Sequence, residues 1–188
     1  MNTNIYFIRH AETVYRPEDH DFNRPLTEKG RNDAKSLTKV FQNISVSKIY
    51  SSPYFRAINS VKDIAEDKKL DIELLNDLRE RKVANHYIKD FFDFSSKQWQ
   101  DFNYSLSGGE SLNEVKDRGL QALKKIISKN KGENIIAAGH GTWLGIMLNH
   151  FDKKYDYNYW RNLKTPDIFK FEYKDNNLVS ITRIETKQ

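Results

Sequence analysis

The stretch Asn4-Ile5-Tyr6-Phe7-Ile8-Arg9-His10 runs four apolar residues straight into two cationic side chains. A second stretch, Asn134-Ile135-Ile136-Ala137-Ala138-Gly139-His140-Gly141, ends on a histidine set between two glycines. Continuous apolar runs of this kind, without alternation, mark strands covered on both faces. Strand-like and helix-like patterns alternate along the rest of the chain. This predicts an α/β fold, a three-layer sandwich with a mostly parallel central sheet and helices on both faces. In an open parallel sheet, ligands bind beyond the carboxyl ends of the strands. Two central parallel strands would carry His10 and His140 to one rim, with the glycines around His140 letting a ligand approach the backbone closely.

The remaining segments fill in this plan. After a polar loop, Pro25-Leu26-Thr27 opens a helix with Thr27 as N-cap, and Gly30, Ala34, Leu37 and Phe41 recur at helical spacing. Residues 48–52 read as a short strand. Ser52-Pro53 then caps and opens a second helix, with proline at its first position and Ala57, Val61 and Ile64 facing inward. Residues 70–75 read as a further strand. Ser111-Leu112-Asn113-Glu114 matches a capping box, and the helix behind it carries Leu112, Val115, Ala122, Leu123 and Ile126 down to about Gly132. Two runs divided around Asp175-Asn176-Asn177 read as a closing hairpin. One region breaks the alternation. From Tyr87 to Tyr104 there are seven aromatic residues, so segment 84–108 reads as a helical, aromatic-rich insertion lying over the sheet, with packing as its expected role.

A chain of 188 residues suits one domain, residues 1–188, carrying that insertion. No apolar run approaches the roughly 20 residues of a membrane span, and the chain enters its first strand without a charged leader. The absence of cysteine excludes disulfides and thiol catalysis and fits a cytoplasmic protein. The net charge of +5 points to an anionic partner. With no Lys/Arg block and no nucleic-acid motif, a phosphorylated small molecule fits better than nucleic acid or a membrane surface, and a phosphoprotein substrate stays open.

Arg56 follows the second strand closely, near the start of the next helix. Helical side chains lean toward the helix N-terminus, which aims this guanidinium at the same rim as the histidines. Arg9 and Arg56 are suited to grip one phosphate with forked hydrogen bonds.

These residues resemble the histidine phosphatase superfamily, also called phosphoglycerate mutase-like. Ile8-Arg9-His10-Ala11-Glu12-Thr13 is similar to its arginine–histidine signature, and Pro25-Leu26-Thr27-Glu28-Lys29-Gly30 to its PLTxxG segment. Ser51-Ser52-Pro53-Tyr54-Phe55-Arg56-Ala57 resembles its SSxxxRA segment, Leu78-Arg79-Glu80 its LxE segment, and Gly139-His140-Gly141 its second histidine motif. The resemblance implies a nucleophilic His10 that forms a phosphohistidine. It implies Arg9, Arg56 and His140 around the equatorial oxygens, with Gly141 beside the bound phosphate. Glu80 becomes the general acid and base, Glu12 a supporting hydrogen-bonding group, and neither metal nor cofactor is needed. Ala11 stands where the signature has glycine, a small change. Arg16 stands where many members carry an asparagine that touches phosphate; it either adds a cation to the pocket or faces solvent.

The expected activity is phosphomonoester hydrolysis. The nearest alternative is a 2,3-bisphosphoglycerate-dependent phosphoglycerate mutase using the same His10, although mutases of the family are generally longer. An alternative of another class is a non-catalytic phospho-ligand binding module, which would have no need of a nucleophile paired with an acid. A metal-dependent phosphoesterase lacks a close ligand cluster in the sequence. His20 and His150 read as surface residues and His86 as the entry to the insertion. Tyr155 to Trp160 suits either an interface or the core.

Overall fold

The structure, a computed structural model, describes residues 2–14 and 21–186. Its strands are β1 (Asn2–Arg9), β2 (Lys48–Ser51), β3 (Ile72–Leu74), β4 (Asn134–Gly139), β5 (Asp167–Lys174) and β6 (Asn177–Ile184). They form one sheet in the order β3-β2-β4-β1-β5-β6. The β3, β2, β4 and β1 strands run parallel, while β5 pairs antiparallel with both β1 and β6. The β5–β6 hairpin turns where the sequence places it, with Asp175 and Asn176 at positive φ, a conformation short polar side chains tolerate.

The helices are α1 (Glu28–Ser36), α2 (Thr38–Phe41), α3 (Phe55–Lys68), α4 (Phe91–Gln100), α5 (Leu112–Lys129), α6 (Gly141–Phe151) and α7 (Tyr157–Arg161). Because β1 is covered on both faces, its alternate side chains enter two cores. Ile5 and Phe7 pack with Leu112 and Val115 of α5 and Trp143 and Leu144 of α6. Tyr6 and Ile8 pack on the other side with Phe41 of α2 and Ala57, Val61 and Ile64 of α3. Each such fully buried large side chain contributes about 1.5–3 kcal/mol. Phe7 stacks flat on Trp143 with ring centroids 4.5 Å apart, tying the centre of the sheet to α6. Helix α6 is buried from Gly141 to Asn149, which explains why it is apolar around most of its circumference.

The caps at Thr27 and Ser111 form as the sequence indicates. Thr27 accepts from the Gly30 N–H, and the Ser111–Glu114 capping box is complete. The start of α3 differs from the expectation. The helix begins at Phe55, Pro53 lies before it, and Tyr54 is its N-cap. The Ser52 hydroxyl accepts from the Tyr54 N–H at 3.3 Å and holds the turn rather than capping the helix. The insertion does contain a helix, α4, whose Trp99 meets Phe102 of the same segment and Trp160 and Tyr157 of α7. Trp99 and Phe102 pack against the core that α5 and α6 form with the sheet. Tyr155 and Trp160 are buried, the core outcome for that aromatic run. Among the described residues, no helix is long and apolar enough to cross a membrane.

Candidate active site

The hydrogen-bond ladder runs one residue past the strands. Arg9 pairs with Gly139 in register, and the His10 N–H donates to the Gly139 carbonyl at 2.9 Å. From the other side, the Ser52 N–H donates to the Ala138 carbonyl at 2.9 Å. Parallel pairing thus delivers His10, His140 and Ser52 to one rim. The two histidine rings meet edge to face, centroids 5.3 Å apart.

His10 Nδ1 lies 2.8 Å from the Ala11 carbonyl. A carbonyl only accepts, so Nδ1 carries the proton and Nε2 keeps its lone pair. Burial holds the imidazole well below its ordinary pKa; Arg56, Arg9 and Arg24 add to this, and the Ala11 carbonyl opposes it. The ring is therefore neutral near pH 7, as a nucleophile requires. Buried His140 is lowered in the same way, first by desolvation and then by Arg56 and His10. Its Nε2 lies 2.8 Å from the Ser52 hydroxyl.

Arg56 is the second residue of α3 and is 2% exposed. It donates to the Asp21 carbonyl at 2.7 Å and to the Asp21 carboxylate at 3.3 Å. Arg9 donates to the Leu163 and Lys164 carbonyls at 2.6 and 3.1 Å. These contacts fix both guanidinium planes. Burial lowers the pKa of both arginines, opposed by Glu80 and by Asp167 for Arg9, and by Asp21 and Glu80 for Arg56. Arg9 Nε, Arg56 Nε and His140 Nδ1 are buried without a hydrogen-bond partner. A buried unpaired donor costs about 1–3 kcal/mol, so a bound anion would find these groups already desolvated and waiting.

Glu80 closes the ring of charge from the far side. Its carboxylate accepts from the Arg81 N–H at 2.8 Å and from the Thr142 N–H, in the first turn of α6, at 3.2 Å. The loop that carries it is anchored beneath. Arg118 donates to the Asp77 and Arg79 carbonyls, and Glu110 bridges Arg79, Arg118 and the Lys82 N–H. Burial alone would raise the Glu110 pKa, but Arg118, the Lys82 N–H and Arg79 outweigh it and hold the carboxylate ionised. Glu12 accepts from the Thr27 hydroxyl at 2.8 Å, tying the loop after β1 to the cap of α1.

The glycines beside His140 leave room for neighbouring side chains, and Gly141 also lines the site's cavity. A Cβ at Gly139 would meet the Phe7 ring at 2.6 Å, and one at Gly141 would meet Arg9 Nε at 2.9 Å. The space they leave admits protein side chains, and Gly141 is what lets the Arg9 guanidinium lie against α6.

Arg9, His10, Arg56, Glu80 and Gly141 line one cavity of about 1080 Å³, with His140 behind His10. Arg16 lies outside the described residues, as does His20. Several lining groups escaped the sequence reading. Asp21, Phe22 and Arg24 sit in an aperiodic polar loop, where no spacing signals a role. Tyr54 lies over the Arg56 guanidinium at 4.8 Å. Arg81 is 4% exposed; burial pulls its pKa to about 10 against the attraction of Glu80 and Glu110. Its guanidinium binds Gln98 and Ser95 and lies over the Phe91 and Phe94 rings. His86, read as bland, is also on the cavity wall, whereas His150 is exposed at the end of α6 as expected. Among the described residues, no group of three or more His, Asp and Glu is placed to hold a metal.

The family described as "Histidine phosphatase superfamily (branch 1)" matches residues 5–184. The chain is 29% identical over 163 residues to phosphoglycerate mutase-like protein 4 of Arabidopsis thaliana, covering 79% of this chain and 70% of that one. Its fold is similar to that of Bacillus stearothermophilus YhfR, with a TM-score of 0.81, 24% identity and 94% of each chain covered. It is also similar to a mycobacterial glucosyl-3-phosphoglycerate phosphatase, with a TM-score of 0.79, 16% identity and 97% of each chain covered.

Proposed function

The chain belongs to the histidine phosphatase superfamily, branch 1, and on that premise we propose that it hydrolyses phosphomonoesters through a phosphohistidine on His10. The observation that carries the proposal is the His10 tautomer. The Ala11 carbonyl keeps the proton on Nδ1, which leaves Nε2 as the nucleophile near the half-buried Arg9 and the buried Arg56.

In the first half-reaction Nε2 attacks phosphorus, the N–P bond forms, and the ester P–O bond breaks. Glu80 gives its proton to the departing oxygen. In the second half, Glu80 takes a proton from a water whose oxygen attacks phosphorus. The N–P bond breaks, its electron pair returns to Nε2, and inorganic phosphate leaves. Arg9 and Arg56 hold the equatorial oxygens throughout and stabilise the charge that spreads over them. His140 donates from Nδ1 when the Ser52 hydroxyl donates to its Nε2, an arrangement open to Ser52 because it already accepts from the Tyr54 N–H. The first turn of α6, at Gly141, adds the positive end of a helix dipole. Positive charge from side chains does the work a metal does elsewhere, and Arg16 remains a candidate further phosphate contact.

A second reading, a bisphosphoglycerate-dependent phosphoglycerate mutase, is favoured by the name of the Arabidopsis relative. The same His10 would then return the phosphoryl group to a substrate hydroxyl. Phosphate release from a panel of phosphomonoesters, with chelator present, separates the two. Chelator-resistant release supports hydrolysis. Interconversion of 3- and 2-phosphoglycerate that needs bisphosphoglycerate and frees little phosphate supports the mutase.

A further inference from the structure

The cavity is far larger than one phosphate, and three exposed rings stand among its lining residues. Phe22, Tyr87 and Phe91 are 41%, 63% and 39% exposed, and all three line it. Large apolar side chains scattered singly over a surface mean little, but gathered around one cavity they mark a contact for a ligand.

Two of these rings, Phe22 and Phe91, are held in place. On one wall the His140 ring meets Tyr54 at 5.1 Å between centroids, and Tyr54 meets Phe22 at 5.2 Å. This row leads outward from the phosphate grip. On another wall Phe91 rests on Phe92 at 5.8 Å and Trp160 at 6.4 Å, with the buried Arg81 guanidinium 5.5 Å from its centroid. Arg81 is in turn fixed by Gln98 and Ser95, so α4 and the Glu80 loop present Phe91 as one piece.

Resting on the phosphatase reading, we infer that the preferred substrate is a phosphomonoester whose leaving group is flat and apolar, held by Phe22 and Phe91 as specificity-determining residues. The insertion is then a recognition element as well as a packing one.

The test compares 2-phenylethyl phosphate with ethyl phosphate, two esters of similar leaving-group acidity, and with 3-phosphoglycerate. The wild-type kcat/KM for the phenylethyl ester is expected to exceed both others by about tenfold or more, the size of one good aromatic contact. In Phe22→Ala and in Phe91→Ala, each checked by thermal unfolding, the phenylethyl-to-ethyl ratio falls toward one. A preference for 3-phosphoglycerate, or a ratio that neither variant moves, overturns the inference. Calorimetric titration of His10→Ala protein provides an arm free of turnover. Binding of 2-phenylethyl phosphate about tenfold tighter than inorganic phosphate, lost on adding Phe91→Ala, supports the subsite even if no ester is hydrolysed, in which case only the phosphatase reading fails. Equal affinity for the two ligands overturns the subsite whatever the enzyme hydrolyses.

Discussion

The floor of the cavity and its rim reach order by different means. On the floor, His10 and His140 follow adjacent central strands, Arg9 and Arg56 are locked by backbone carbonyls and Asp21, and Arg9 Nε, Arg56 Nε and His140 Nδ1 are buried. At the rim, Tyr87 and Phe91 project from a loop and from a helix held by ring contacts with α7, by the buried Arg81 on Gln98 and Ser95, and by hydrogen bonds from Gln98 and Tyr157 to backbone carbonyls. The floor owes its geometry to sheet register, which a substitution outside the core hardly moves. The rim owes its geometry to side-chain packing on α7, which individual residues decide. On the proposed function, that division would give a grip set by the sheet and a wall set by individual side chains.

The sharpest way to break the contrast is at the floor. His10→Ala is expected to lower kcat by at least about a thousandfold, the scale of losing a nucleophile, while its thermal unfolding stays cooperative. Residual turnover near the wild-type rate would remove His10 from the mechanism. Glu80→Gln comes next. Hydrolysis of alkyl phosphates is expected to slow by about 10²–10⁴-fold, and that of p-nitrophenyl phosphate much less, since a good leaving group needs no proton. Equal losses for both would take the acid's role from Glu80.

A third test uses pH and no substrate. His10 and His140 are both held below their ordinary pKa of 6.5 in the folded chain, first by burial and then by arginine charge. Between the folded and unfolded values the unfolded state binds more protons. Stability is therefore complete above about pH 6.5 and is lost as pH falls below it, by about 1.4 kcal/mol per pH unit for each proton. Denaturant unfolding from pH 7.5 to 5 measures the slope, and His140→Gln is expected to lower it by one proton's share. A slope unchanged in that variant would mean that His140 is not held neutral by the fold. The smallest effect belongs to the rim: Tyr87→Ser is expected to move unfolding free energy by no more than about 0.5 kcal/mol, whereas Phe7→Ala beneath the floor costs about 3–5 kcal/mol. Comparable losses at the two sites would show that the rim is part of the core.

The chain's apolar runs at 4–8 and 134–138 point by themselves to central strands, because they are short, rich in β-branched and aromatic residues and bounded by polar residues and glycine, where a buried helix such as α6 runs longer. The residues placed directly after them, Arg9-His10 and His140, then belong to the sheet's carboxyl rim, and the caps at Thr27 and Ser111 are readable because their chemistry is local. Tertiary structure alone decided the partners of those residues. Nothing in Leu78-Arg79-Glu80-Arg81-Lys82 tells which charge is buried; the answer, Arg81, depends on Gln98, Ser95, Phe91 and Phe94 arriving from α4. The Asp21 grip on Arg56 and the Phe22 ring beside Tyr54 join segments more than 30 residues apart. The reach of a sequence pattern is one element and its ends, whereas a pocket is made of side chains from many elements. The placement of Arg9, His10 and His140 was therefore legible from the strand ends, and the side chains that line the rest of the cavity were not.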